Sequence, residues 1–290
     1  MRTLTFALIA FICMTTMATD AATCERAADL ALSLTQSNYN SHWTGGEAGS
    51  VNWIGNANLN ATGKFSEIFS LKEDLKLSFG QTHTQNKDTK EWAKPEKSSD
   101  RIFLESVGLF TLGGLFDPYA SVTFESQFLD ASVSEVNRYV NPITLNESVG
   151  LSRTFFADTL GSTLASRLGL ALQHFSDNRV VDIATATKER STVTSGGMSW
   201  VTDFSQLTRD KRLKYVTKLR VFWAWFNSES DNLATNDWKT PDLAWEHTLS
   251  AAITKLLQVQ LFLEFQYDKE IDKAMRFKET LALGLSYKLF

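Results

Sequence analysis

Along most of the chain, large apolar residues alternate one for one with small or polar ones, over segments of strand length. In Glu279–Phe290, Leu281, Leu283, Leu285, Tyr287 and Leu289 share one face, and Ala282, Gly284, Ser286 and Lys288 share the other. Gln258 to Tyr267 sets Val259, Leu261, Leu263, Phe265 and Tyr267 against Gln258, Gln260, Glu264 and Gln266. In Ser66–Gln81, Phe69, Leu71, Leu75, Leu77 and Phe79 oppose Ser70, Lys72, Asp74, Lys76 and Ser78. In Arg212–Phe226, Leu213, Tyr215, Leu219, Val221, Trp223 and Trp225 oppose Lys214, Lys218 and Arg220. A basic residue at the membrane midplane costs roughly 2–4 kcal/mol, so a strand of this kind keeps its bases in a lumen and its apolar face in lipid.

Connections between these segments run short, long, short, long, the rhythm of outer-membrane hairpins with tight periplasmic turns and longer external loops. Expected strands are 50–61 and 66–81 around Thr62-Gly63-Lys64, 101–112 and 119–130 around Gly113-Gly114, and 144–156 and 162–175. Further strands fall at 191–204, 212–226, 242–254, 258–267 and 279–290, with long connections at 86–98, 131–143, 176–190 and 227–241. That is an odd number, whereas single-chain bacterial barrels have an even number and both termini in the periplasm. A further crossing is therefore expected within Leu32 to Gly45, giving an all-β, transmembrane antiparallel barrel of about twelve strands, with ten as the alternative. Residues 23–49 are this first strand or, alternatively, a polar plug in the lumen, and residues 50–290 are the barrel proper. Glu73, Glu147 and His247 fall on the apolar face, which suggests bulges nearby.

Arg2, the apolar run Leu4 to Met17 and small residues through Ala22 read as a secretory signal peptide over residues 1–22, which implies export. Removing it takes Cys13 away and leaves Cys24 alone, so no intrachain disulfide is expected. Beyond the signal no apolar run reaches 18 residues, which excludes a helical membrane protein. A net charge of -4 gives no case for nucleic acid.

Several blocks together resemble a family of uncharacterised exported outer-membrane β-barrel proteins of Gram-negative bacteria, known only as a domain of unknown function. They are Trp43-Thr-Gly-Gly46, Leu104 to Gly108, Pro118-Tyr119-Ala, Thr123 to Phe128, Trp245 to Leu249, Tyr267 to Ile271 and Arg276 to Tyr287. The resemblance implies architecture and an outer-membrane location, with outer-membrane lipid and the barrel-assembly machinery as partners. It implies neither activity nor site residues. Similar barrels carry Tyr two positions before the final Phe; here Leu289 intervenes, so the assembly signal is read from Tyr287, Leu289 and Phe290.

Two sets of side chains are candidates for chemistry. Lys72, Lys76, Arg167, Lys214, Lys218, Arg220, Arg276, Lys278 and Lys288 outnumber Asp74, Glu125, Glu246 and Glu264 on the expected lumen face. An open lumen of that kind is a porin-like passive channel favouring small anionic solutes; alternatively the charges pair and fill a structural or adhesive barrel that acts through its loops. His174 and Ser176, at the external end of a strand, resemble the His-x-Ser-Asn of outer-membrane phospholipases and lipid A deacylases. Asp177 stands where those enzymes have Asn, and Glu189 is only the nearest acid, so an enzyme is not the expected reading. His42, His83, His247 and Cys24 show no metal-ligand spacing, and no cofactor is expected. Trp92 and Trp238 fall in external loops, as sugar contacts or as local packing.

Overall fold

A computed structural model describes residues 23–39, 48–133 and 135–288. Among these residues, twelve antiparallel strands close into one barrel. They are β1 (Thr23–Ser37), β2 (Ser50–Lys64), β3 (Phe69–Thr84), β4 (Glu96–Phe110), β5 (Asp117–Ser126) and β6 (Ile143–Ala157). There follow β7 (Thr163–Asp182), β8 (Thr187–Leu207), β9 (Leu213–Asn227), β10 (Asp242–Ala252), β11 (Leu257–Asp268) and β12 (Asp272–Lys288). Each strand pairs with its sequence neighbours, and β1 pairs with β12 to close the ring. Closure leaves no sheet edge, the condition for a strand-built structure to cross a bilayer.

The alternation fixes which way each strand faces. Leu30, Leu32, Leu34, Leu168, Leu170, Leu172, Leu281, Leu283 and Leu285 all lie exposed on the outer wall, while their neighbours one position along face inward. An outer apolar wall and a polar interior define a transmembrane β-barrel. Aromatic rings run in contact around the outer wall: Phe156–Phe204 at 6.2 Å, Phe204–Tyr215 at 5.9 Å, His247–Phe265 at 6.0 Å and Phe265–Phe277 at 5.0 Å between centroids.

Four departures from the sequence reading have physical causes. The first strand starts at Thr23, not near Leu32, because Thr23 to Ser37 pairs residue for residue with Lys64 to Ser50 of β2. Residues 23–37 are thus a strand of the wall and not a plug. The segment 176–190 is not a loop: β7 and β8 continue to a tight turn at residues 183–186, where Asp182 accepts hydrogen bonds from Ala184 N at 2.9 Å and from Thr185 Oγ1 at 2.6 Å. That extension mixes polar residues with Val180 and Val181 on both faces, so it shows no alternation. Third, β5 stops at Ser126, and Leu129–Asp130 pairs instead with Arg138–Tyr139 in a small external hairpin. Fourth, the ladder runs unbroken through Glu73, Glu147 and His247. The five register shifts lie elsewhere, among them Gly80/Gln81 and Gly196/Gly197. Glu73 is instead satisfied by Ser106 Oγ at 2.5 Å, and His247 Nδ1 lies 2.7 Å from Tyr215 Oη. The expected signal peptide and the residues Leu289 and Phe290 lie outside the described residues.

Gly150 and Gly169 are directly paired and face the lumen beneath Tyr119. A Cβ on Gly169 would stand 2.3 Å from Val149 O and 2.8 Å from Tyr119 Oη, and one on Gly150 would stand 2.2 Å from Leu168 O. The obstacle is mainly backbone, which cannot move aside. Gly169→Val is expected to destabilise the folded barrel by about 1–3 kcal/mol, as overpacking does, read from urea unfolding of vesicle-inserted protein.

The external hairpin is tied down by charge. Arg138 Nη2 contacts Asp130 Oδ2 at 2.7 Å, and Asn141 Nδ2 donates to Asp130 Oδ2 at 2.9 Å and to Asp177 Oδ1 at 2.8 Å. Burial pushes the Asp130 carboxyl up, but the Ser132 N–H, Asn141 and Arg138 outweigh it and hold it below the ordinary range. A depressed carboxyl contributes stability that is complete above its unfolded pKa of about 3.9 and is lost as pH falls through the lower folded value. Amide protection factors in residues 129–133 and 135–139, referred to the intrinsic rate at each pH, should therefore fall as the pH drops below that range, while the barrel strands stay protected.

Candidate functional site

The lumen narrows at a layer of ion pairs that reach from wall to wall. Glu105 on β4 meets Arg167 on β7 at 2.9 Å and also Lys218 on β9, five strands away. Asp203 on β8 closes the group with Arg167 at 3.1 Å and Lys218 at 3.4 Å. In a second group, Glu246 on β10 meets Arg101 on the opposite β4 at 2.7 Å, Arg220 at 2.8 Å and Lys76 at 3.6 Å. Glu125 contacts Arg101 at 3.0 Å and Arg220 at 3.1 Å, and Asp74 contacts Lys76 at 3.6 Å.

Phe103 sits between the two groups, fully buried in the lumen. Lys76 Nζ, Arg101 Cζ, Lys218 Nζ and Arg220 Cζ stand 4.9–5.3 Å from its ring centroid. The ring face is electron-rich and accepts cations on both sides. It also takes up room that water would otherwise fill. Glu105, Arg167, Lys218 and Glu246 are all more than nine-tenths buried, while the side chains of Lys76, Glu125 and Asp203 keep 29–30% exposure, so this layer is a seal packed at its centre and wetter at its flanks.

The expected lumen residues divide into two groups, apart from Lys288, whose side chain lies outside the described ones. Lys76, Arg167, Lys218 and Arg220 belong to the seal. Lys72, Lys214, Arg276 and Lys278 share the inward register but form none of these pairs. Glu264 accepts from Gln266 Nε2 at 2.5 Å. Arg101, Glu105 and Asp203, essential to the layer, were missed from the sequence. Arg101 and Glu105 share parity with Phe103, and an apolar ring between two charges hides an inward row.

Above the layer, on its external side, lies a cavity of ≈ 440 Å³ whose lining includes Arg101, Glu125, Gln127, Glu264, Arg276 and Lys278. Its floor is the Arg101–Glu125 pair.

His174 and Ser176 both face outward on β7, yet each is engaged elsewhere. His174 Nδ1 lies 3.0 Å from Thr194 Oγ1, and Ser176 Oγ accepts from Arg190 Nε at 2.9 Å and from Thr192 Oγ1 at 3.3 Å. Glu189 pairs with Arg179 on the opposite face of the ladder. Trp238 is buried in a single turn at Asp237–Lys239 with Lys239 Nζ 5.0 Å from its ring, whereas Trp92 is exposed. No group of three potential metal ligands occurs among the described residues. Tyr287 is exposed on the outer wall of β12.

A family model described as "Protein of unknown function (DUF3078)" matches residues 34–131. No curated protein matches the chain. Among solved structures, the COG4313 outer membrane channel from Pseudomonas putida F1 aligns at 14% identity and a TM-score of 0.40, covering 92% of this chain and 94% of that one. The translocator domain of the autotransporter NalP from Neisseria meningitidis aligns at 11% identity and a TM-score of 0.34, covering 98% and 96%. The beta domain of the Bordetella autotransporter BrkA aligns at 10% and 0.32, covering 93% and 99%.

Removing one partner of a buried ion pair strands the other charge, at a cost of about 3–5 kcal/mol. Glu246→Ala, which takes a shared partner from Arg101, Arg220 and Lys76 and leaves the two arginines with Glu125 alone, should lower the urea midpoint of the folded barrel. It should also raise single-channel conductance severalfold over wild type, since it removes a carboxylate that spans the lumen.

Proposed function

We propose that the protein is a porin-like channel of the bacterial outer membrane, passing small hydrophilic solutes through a lumen that the ion-paired layer holds shut at rest. The observation that carries this reading is the external cavity that ends on a charge-balanced seal. A barrel with a purely structural interior gains nothing from such a vestibule. Outside the seal, Lys72, Lys214, Arg276 and Lys278 tilt the path towards anions. The partners required are outer-membrane lipid around the apolar wall and the barrel-assembly machinery, which would read the C-terminal segment.

The seal itself favours a second reading, a structural or adhesive barrel acting through its external loops. Single-channel recording in a planar bilayer under a salt gradient separates the two. Openings with a reversal potential on the anion side support the channel. Silence from wild type and from Glu246→Ala alike, with both heat-modifiable on gels, supports the structural barrel.

The apolar wall makes its own demand. Leu170, 60% exposed, points outward at mid-strand. Leu170→Arg should cost about 2–4 kcal/mol in vesicles and far less in a detergent micelle, whereas inward substitutions such as Thr280→Arg should show no such difference between the two media.

A further inference from the structure

Six ionised groups line the external cavity, Asp100, Glu125 and Glu264 against Arg101, Arg276 and Lys278. Three of them are committed to ion pairs: Asp100 to Lys97 at 3.2 Å, and Arg101 to Glu125 and to Glu246. Arg276 and Lys278, inward-facing neighbours on β12, meet no carboxylate within ion-pair distance among the described residues. The Nε of Arg276 is buried with no hydrogen-bond partner, a cost of about 1–3 kcal/mol if it stays unmet. Asp242 is near enough to act on Arg276 electrostatically, but does not reach it as an ion pair.

Across the cavity the available groups are also donors. Lys97 Nζ donates to Gln127 Oε1 at 2.6 Å, which leaves the Gln127 amide N–H groups as the free end of that side chain. The Thr144 hydroxyl completes the wall. A guanidinium fork, an ammonium, an amide and a hydroxyl line one space, the donor set of an oxyanion site, with the Glu264 carboxylate in register with Lys278 and accepting from Gln266 at its edge. A phosphoryl group fits it better than a carboxylate, because its three terminal oxygens can use the fork and the ammonium together. The volume of ≈ 440 Å³ is near the lower end of small-molecule pockets, suited to one compact hydrophilic molecule and not to a polymer.

We propose that this cavity is a binding site for a small phosphorylated solute of sugar-phosphate size, held by Arg276 and Lys278. The proposal rests on the channel reading for its purpose but not for its test. A solute collected there lies directly on the Arg101–Glu125 pair and competes for the Arg101 guanidinium, so the site is the entrance at which a charged solute can begin to undo the seal.

The test is isothermal titration of the detergent-folded full chain with glucose 6-phosphate, with glucose and inorganic phosphate as comparisons, at low ionic strength. The expected result is saturable binding of glucose 6-phosphate, weaker binding of inorganic phosphate and none of glucose, with a loss of at least tenfold in R276Q/K278Q. Neither residue belongs to the seal, so the double variant should fold, and its heat-modifiable band verifies this; Arg276→Lys, which keeps the charge but not the fork, should fall between. Absence of saturable binding to folded wild type, or equal affinity in the double variant, overturns the site. Because binding is measured without a membrane, conductance without binding rejects this site and keeps the channel, whereas binding without conductance does the reverse.

Discussion

Closure of the backbone hydrogen-bond ring is the constraint from which the rest follows. In hydrocarbon an unpaired N–H or C=O costs several kcal/mol, so a sheet can enter only as a ring without edges. Here, among the described residues, β1 and β12 meet through Asp29 to Ser33 against Gly284 to Lys288. That seam determines the rest. Once the ring is closed, every second side chain points into a confined space and the others into lipid.

The interior is the harder problem, because inward residues must be polar enough to keep the strand facing correctly, yet a narrow ring leaves them little water. The protein answers with opposite charges drawn from opposite walls and a phenyl ring between them. Such pairs gain little over an apolar filling in net stability, since desolvation offsets most of the attraction. What they provide is orientation: Glu105, Glu125, Asp203 and Glu246 each contact two or three cations from different strands, so a slip of one strand would break several contacts together.

How much was legible in the sequence follows from the same physics. Strands bathed by lipid on one side and lumen on the other advertise themselves, as in Gln258–Tyr267 and Lys214–Trp225, and parity then required another crossing near the N-terminus. The β7–β8 extension was invisible because water touches both its faces and removes any reason to alternate. Lys218 and Arg220 could be assigned to the lumen one strand at a time, but no single strand reveals that Glu105 and Glu246 wait on other walls. Pairing across a ring is a property of its circumference, not of local pattern.

The seal has one electrical property that its geometry alone does not suggest. Its formal charges are Lys76, Arg101, Arg167, Lys218 and Arg220 against Asp74, Glu105, Glu125, Asp203 and Glu246, five of each sign. A transmembrane voltage does work on displaced net charge, about 2.3 kcal/mol per elementary charge per 100 mV. A layer that is neutral as a whole moves no net charge when it is displaced as a unit. On the channel reading, an opening that exchanges partners for these arginines and lysines would tie the lumen to the ionic composition of the surrounding fluid more than to the potential across the membrane.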